Sequence, residues 1–192
     1  MNLRTVLTNA TVVTGYAKLD DCALYIDEKG EIGDIFNMRR LATKNLPPDT
    51  LIIDVDGAFV MPGLIDSHLH GIGGWGTEDR EVSSILNMSE RLADFGVTAF
   101  MPTVYTDVLE KMLDSTRAIV AAMGKEKGAK IMGVNLEGPF ISMERVGAQN
   151  PEGVRKVDLK VFEQLIEAGE GKILCMTVAP ELKGMRELAL MA

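Results

Sequence analysis

Histidine is scarce in this chain: its 192 residues hold two, His68 and His70, separated by a single leucine. No other imidazole is available for catalysis or metal binding. Cysteine is equally scarce, with Cys22 and Cys175 far apart in segments that read as strands. That spacing suits two buried thiols in a reducing compartment better than a disulfide framework. Neither cysteine has a histidine near it in sequence, so a nucleophilic thiol has no base to support it. No apolar run approaches the roughly 20 residues that span a bilayer, and the opening stretch MNLRTVLTNATVVTG lacks the apolar core and cleavage site of a secretory signal. These absences predict a cytoplasmic protein with no membrane partner. Positive charge is short as well: 20 Lys and Arg against 28 Asp and Glu leave a formal net charge of -8, and no basic patch offsets it. The balance argues against a general nucleic-acid partner, because phosphates repel an acidic surface. There is no repeat of fixed period and no low-complexity tract.

What is present reads as an ordinary soluble globular chain, 46% hydrophobic and 25% charged. Residues 1–58 read as a small β unit. TVLTNATVV is a strand, CALYIDEKGEIGDIF a hairpin turning at EKGE, NLPPDT a turn or linker whose paired prolines exclude helix, and TLIIDVDGAFV a further strand. From Phe59 the texture changes to apolar strands alternating with amphipathic helices. FVMPGLIDSHLH, VTAFMPT, KIMGVNL and KILCMTVAP are the strands. Helices are expected at about 81–95, ending at Gly96; after Asp107 and Glu110, whose spacing forms a capping box; at about 158–168; and from near Glu181. Four such units with continuously apolar strands predict a parallel sheet covered by helices, half of a (β/α)8 barrel. A complete barrel needs roughly 250 residues, so four further units cannot fit in residues 59–192, and the expectation is a truncated chain.

The chemistry gathers in VMPGLIDSHLHGIGG, residues 60–74. On a strand, positions two apart share a face, so Asp66, His68 and His70 project to one side. That arrangement suits metal ligands, with Asp66 able to orient an imidazole. The alternative is two incidental polar residues at a strand end.

Several motifs in order, MPGLIDSHLHGIGG (61–74), GVTAFMPT (96–103), GVNLEGPFIS (133–142), GAQNPE (147–152) and TVAPE (177–181), resemble the N-acetylglucosamine-6-phosphate deacetylases of the amidohydrolase superfamily, across essentially the whole chain. The resemblance implies an α/β fold: the first half of a (β/α)8 amidohydrolase barrel, residues 59–192, preceded by a small β-sandwich-type unit, residues 1–58, that C-terminal strands complete. It implies that Glu137 binds a catalytic divalent metal (zinc, iron or manganese), that His68 and His70 permit a second, and that Ala148 and Gln149 touch the sugar. Gln149 stands where many members have histidine, and glutamine binds without titrating near neutrality. The family's remaining metal ligands and its acid/base aspartate match nothing here, so no catalytic residue is assigned and the chain alone is expected to be inactive. An amino-sugar phosphate substrate and a homodimer of the full-length enzyme are further implications. Two other readings stay open: a different HxH-barrel reaction, on cyclic amides or as a deaminase, and a non-catalytic assembly module.

Overall fold

Val6, Thr8, Ala10 and Val12 are buried in strand β1 (Thr5–Val13) and the residues between them are less so, the period-two signature of a strand with one covered face. This computed structural model describes residues 3–192. Around β1 a five-stranded mixed sheet assembles. Strand β2 (Lys18–Ile26) lies antiparallel to β1, and β3 (Ile32–Asn37) antiparallel to β2; β4 (Leu51–Asp54) and β5 (Phe59–Val60) both run parallel to β1. The hairpin turns where the sequence places it. The Asp27 carboxylate accepts the backbone N–H groups of Lys29 and Glu31, each at 2.9 Å, which is how an aspartate closes a tight turn. The stretch expected as one strand, TLIIDVDGAFV, is two. Asp56 and Gly57 adopt left-handed conformations (φ 49° and 77°) and turn the chain between β4 and β5. A 3-10 helix, Met38–Thr43, capped by the Asn37 side chain on Arg39 N–H, was not foreseen. The first compact unit ends at Pro62, since Phe59–Val60 pairs with β1; the second runs from Gly63 to Ala192.

In the second unit all strands of the main sheet are parallel. Strand β6 (Leu64–Leu69) pairs with one part of β9 (Val97–Val104); β10 (Lys130–Ile131) and β11 (Val134–Glu137) pair with β9 as well, and β12 (Ile173–Thr177) lies beyond β11. A two-residue hairpin, β7 (Gly71–Ile72) with β8 (Trp75–Gly76), follows β6. The helices α1 (Val82–Ala93), α2 (Leu109–Ala122) and α3 (Leu159–Gly169) occupy the connections between strands, and α4 (Met185–Met191) follows β12. Their apolar faces meet the sheet in one core, where Ile85, Met88, Phe100, Ile119, Leu136, Phe140 and Leu165 are fully buried. The result is an α/β fold. The segment KIMGVNL breaks at Met132–Gly133: a Cβ on Gly133 would sit 2.6 Å from Lys172 O, so the backbone here passes too close to its neighbour for a side chain.

Three local expectations need correction. The Asp107–Glu110 capping box does not form; α2 has Val108 at its N-cap, and the Asp107 carboxylate instead accepts the Val108 and Asn150 N–H groups, both at 2.7 Å. Helix α4 begins at Met185, after Gly184 turns left-handed at φ 94°, rather than near Glu181. Cys22 is buried as expected but Cys175 is exposed, because β12 is the last strand of its sheet and much of it lacks cover. Elsewhere the sequence signals hold: Asp158 caps α3 through Lys160 and Val161 N–H, and Gly96 follows α1 with φ 74°. Among the described residues no helix is long and apolar enough to cross a membrane.

Two outcomes follow from this packing. Leu136→Ala, opening a void at a fully buried strand position, lowers stability by about 2–5 kcal/mol in urea titration. Asp107 ties the loop of residues 138–158 to α2. Burial alone raises its carboxyl pKa, but the Val108 N–H, Lys111 and the Asn150 amide outweigh that and hold it below the usual carboxylate range. A depressed folded-state value stabilises the fold above the unfolded carboxyl value of about 3.9, and that stability is lost as pH falls through the lower folded value. The melting temperature of the wild-type chain should therefore fall more steeply below about pH 4 than that of Asp107→Asn. Parallel melting curves for the two proteins check this.

Candidate metal centre

Parallel strands bring their C-terminal ends to one edge of a sheet, the edge where α/β sites gather. His68 lies near the end of β6 and His70 just beyond it; Glu137 is the last residue of β11; Thr103 is next to last in β9. Their side chains converge. Glu137 Oε2 lies 2.9 Å from His70 Nε2 and 3.4 Å from His68 Nε2. One ligand atom from each of the three residues falls within 4.8 Å of the others, the group able to hold a metal ion among the described residues.

Each imidazole is held from behind. His70 Nδ1 is 2.9 Å from Thr103 O, and Tyr105 stacks on the ring at 3.6 Å between centroids with 9° between planes. His68 Nδ1 is 3.3 Å from Asn135 Nδ2, and the two imidazoles meet edge to face at 5.1 Å. Thr103 is itself pinned: its carbonyl also accepts the Thr77 hydroxyl at 2.7 Å, its own hydroxyl accepts Leu69 N–H at 3.0 Å, and Ser115 donates to Thr77 O at 2.8 Å. Burial raises the Tyr105 phenol pKa, with the charges of Glu78 and Glu137 adding to it, so the ring stays neutral beside the site.

The fit to a cation rests on Glu137 Oε2. This oxygen is buried and takes no hydrogen bond of ordinary geometry, although His70 Nε2 is 2.9 Å away. The reason lies behind the ring. A carbonyl can only accept, so a neutral His70 spends its one proton on Nδ1 toward Thr103 and presents a lone pair from Nε2. Lone pair faces lone pair, which is unfavourable for two acceptors and suits a cation between them. Imidazole and carboxylate donors fit zinc, iron or manganese.

The other residues singled out in the sequence lie close by with different duties. Asp66 does not touch an imidazole in this arrangement; its carboxylate accepts the backbone N–H of His68 at 3.0 Å and so braces the strand end. Gln149 accepts Thr106 N–H through Oε1 at 2.7 Å, and Thr106 in turn donates its hydroxyl to Glu137 O. The loop carrying Gln149 and the exposed Ala148 is thus joined to the metal-ligand strand through one threonine. Thr103, Tyr105 and Asn135 were not foreseen. Their signal is positional, polar side chains at the ends of strands β9 and β11, and it becomes readable only once those strands are aligned.

The amidohydrolase family matches residues 59–184. The chain is 35% identical over 126 residues to the N-acetylglucosamine-6-phosphate deacetylase of Bacillus subtilis, covering 64% of this chain and 32% of that protein. It is 32% identical over 180 residues to the enzyme of the same name from Vibrio furnissii, covering 90% and 42%. Among solved structures, the Pasteurella multocida N-acetylglucosamine-6-phosphate deacetylase superposes with a TM-score of 0.81 at 26% identity, over 94% of this chain and 46% of that one. A Mycobacterium smegmatis deacetylase variant, solved with N-acetyl-D-glucosamine-6-phosphate, superposes with a TM-score of 0.79 at 26% identity, over 97% and 46%. The chain thus spans under half the length of each of these four relatives. With the match over residues 59–184 and the ligand cluster inside that stretch, the chain belongs to the amidohydrolase family.

Proposed function

We propose that these residues form the N-terminal part of a metal-dependent N-acetylglucosamine-6-phosphate deacetylase, which hydrolyses the acetamide to acetate and glucosamine 6-phosphate. The convergence of His68 and His70 on the buried Glu137 oxygen carries this reading. The deacetylases among the relatives favour it over cyclic-amide hydrolysis or deamination. In this reading the parallel strands belong to a (β/α)8 barrel, and the first sheet to a sandwich completed by other strands.

Glu137 and His70, with His68, would hold one or two divalent cations. Such a cation, when bound, lowers the pKa of its water from about 15.7 to about 7 and polarises the amide carbonyl. The chain's own groups do the rest of what can be assigned here. Thr103 and Tyr105 fix the His70 plane. Asp66 steadies the strand end that carries both histidines. The Thr106 hydrogen bond points Gln149 toward the strand bearing Glu137, and since its oxygen is engaged, its amide N–H groups are what it offers to the sugar. Being neutral, Gln149 binds without moving a proton. The proton that passes from water to the leaving amine needs a carboxylate or imidazole near its operating pH, and no residue of this chain is assigned to it.

Two experiments test the proposal. Zinc or manganese titrated into the 192-residue chain by calorimetry binds, and Glu137→Gln weakens the affinity by more than the roughly 10- to 100-fold that losing a hydrogen-bond partner behind a ligand costs. An unchanged affinity, with circular dichroism showing both proteins folded, would remove Glu137 from the site. A longer protein carrying these residues, offered N-acetylglucosamine 6-phosphate, a dihydropyrimidine and an aminopurine, releases acetate from the first and turns over neither of the others. The 192-residue chain alone releases none, and measurable acetate from it would overturn the division of the site between this segment and another.

A further inference from the structure

The two histidines are held from behind by partners of opposite polarity. Behind His70 stands the Thr103 carbonyl, 2.9 Å from Nδ1, an acceptor that draws the ring proton to Nδ1. Behind His68 stands the Asn135 side chain, with Nδ2 at 3.3 Å from Nδ1. Which end of that carboxamide faces the ring is decided by a third group. The same atom lies 3.1 Å from Ser67 O, a carbonyl that only accepts, so the atom there must be the NH2 nitrogen. Asn135 is 3% exposed, packed on β11, and its Oδ1 is buried without a partner. It is walled in and cannot turn to water for an alternative.

A donor behind His68 Nδ1 requires a lone pair on that nitrogen. The one proton of the neutral ring then sits on Nε2, 3.4 Å from Glu137 Oε2. We propose that Asn135 is a positioning residue that fixes His68 as its Nε2–H tautomer. His68 then carries its N–H on the nitrogen nearest Glu137 Oε2, at a separation of 3.4 Å that makes no hydrogen bond of ordinary geometry, while His70 presents a ready lone pair. The pair is chemically unequal although the motif is symmetric. For His68 Nε2 to take up a cation, its proton must leave Nε2 and a proton must sit on Nδ1, where it would oppose the Asn135 N–H donor to donor. His70 needs no such change. Asn135 therefore weakens cation binding through His68 alone. The tautomer assignment concerns the free protein; only the effect on affinity rests on the metal reading above.

Two histidines in the whole chain make the test direct. A long-range proton–nitrogen correlation spectrum of the 15N-labelled chain, recorded where the imidazoles are neutral and assigned with His70→Gln, should show His70 protonated on Nδ1 and His68 on Nε2. A His68 ring protonated on Nδ1 overturns the proposal without any variant. In Asn135→Asp the group behind Nδ1 becomes an acceptor, so His68 should change to Nδ1–H and zinc should bind about tenfold tighter or more, the lower edge of what partners behind a ligand contribute. A folded Asn135→Asp chain whose His68 keeps the Nε2–H form, or which binds zinc more weakly than wild type, removes Asn135 from the role. If both tautomers are as expected and change as expected while neither protein takes up zinc, the tautomer proposal stands and the metal reading falls.

Discussion

A carboxylate oxygen shut away from water must be met by a proton or a cation, and Glu137 Oε2 is such an oxygen. Unpaired, such an oxygen costs free energy, tempered here because 24% of the Glu137 side chain still meets solvent. Much of the second unit's site end can be read as the supply of partners to this atom. Strand β6 delivers two imidazoles, β9 delivers the carbonyl that turns one of them, and β11 delivers the oxygen itself together with the asparagine that turns the other. Three neighbouring parallel strands suffice because they all end at the same edge.

The helices matter to the site indirectly. They cover the middle of the sheet and leave its outer strands bare: Leu64 and Ile65, on opposite faces of β6, and Leu174 on β12 are more than half exposed. A sheet covered on both faces is what continuous apolar strands ordinarily report, and β11 and the end of β9 are buried on both faces here, while β6 and β12 carry the same composition with less cover. The ligand-bearing ends are nevertheless ordered by hydrogen bonds local to the edge. The loop of residues 138–158 is anchored there by Asp107 and Thr106, and braced within itself where Pro139 O accepts Arg155 N–H.

How far the sequence alone leads differs between fold and site. Strands β1, β2 and β3, their hairpin turn and the helices α1 and α3 are legible because each is set by local rules: alternation, an Asx turn, an aspartate cap, a glycine past the last turn. Misreadings fall where a distant group overrides a local signal. Asp107 has the spacing to cap α2, but Asn150, 43 residues away, competes for its carboxylate. KIMGVNL reads as one strand, and the close approach of Lys172 at Gly133 breaks it. His68 and His70 stand out by rarity, and Glu137 through the family resemblance. Thr103 and Asn135 contact the histidines across 33 and 67 residues, a separation no local pattern encodes.

The relay from Ser115 through Thr77 and Thr103 to His70 reaches from a buried position on α2 to the imidazole in three consecutive hydrogen bonds. Each of these links uses a backbone carbonyl as acceptor, so the geometry transmitted is that of the main chain. The outer layer of the molecule is thereby wired to its chemistry. A survey of random substitutions would find the tolerance of α2 divided by face, permissive toward solvent and strict at Ser115, for reasons of metal geometry as well as of packing.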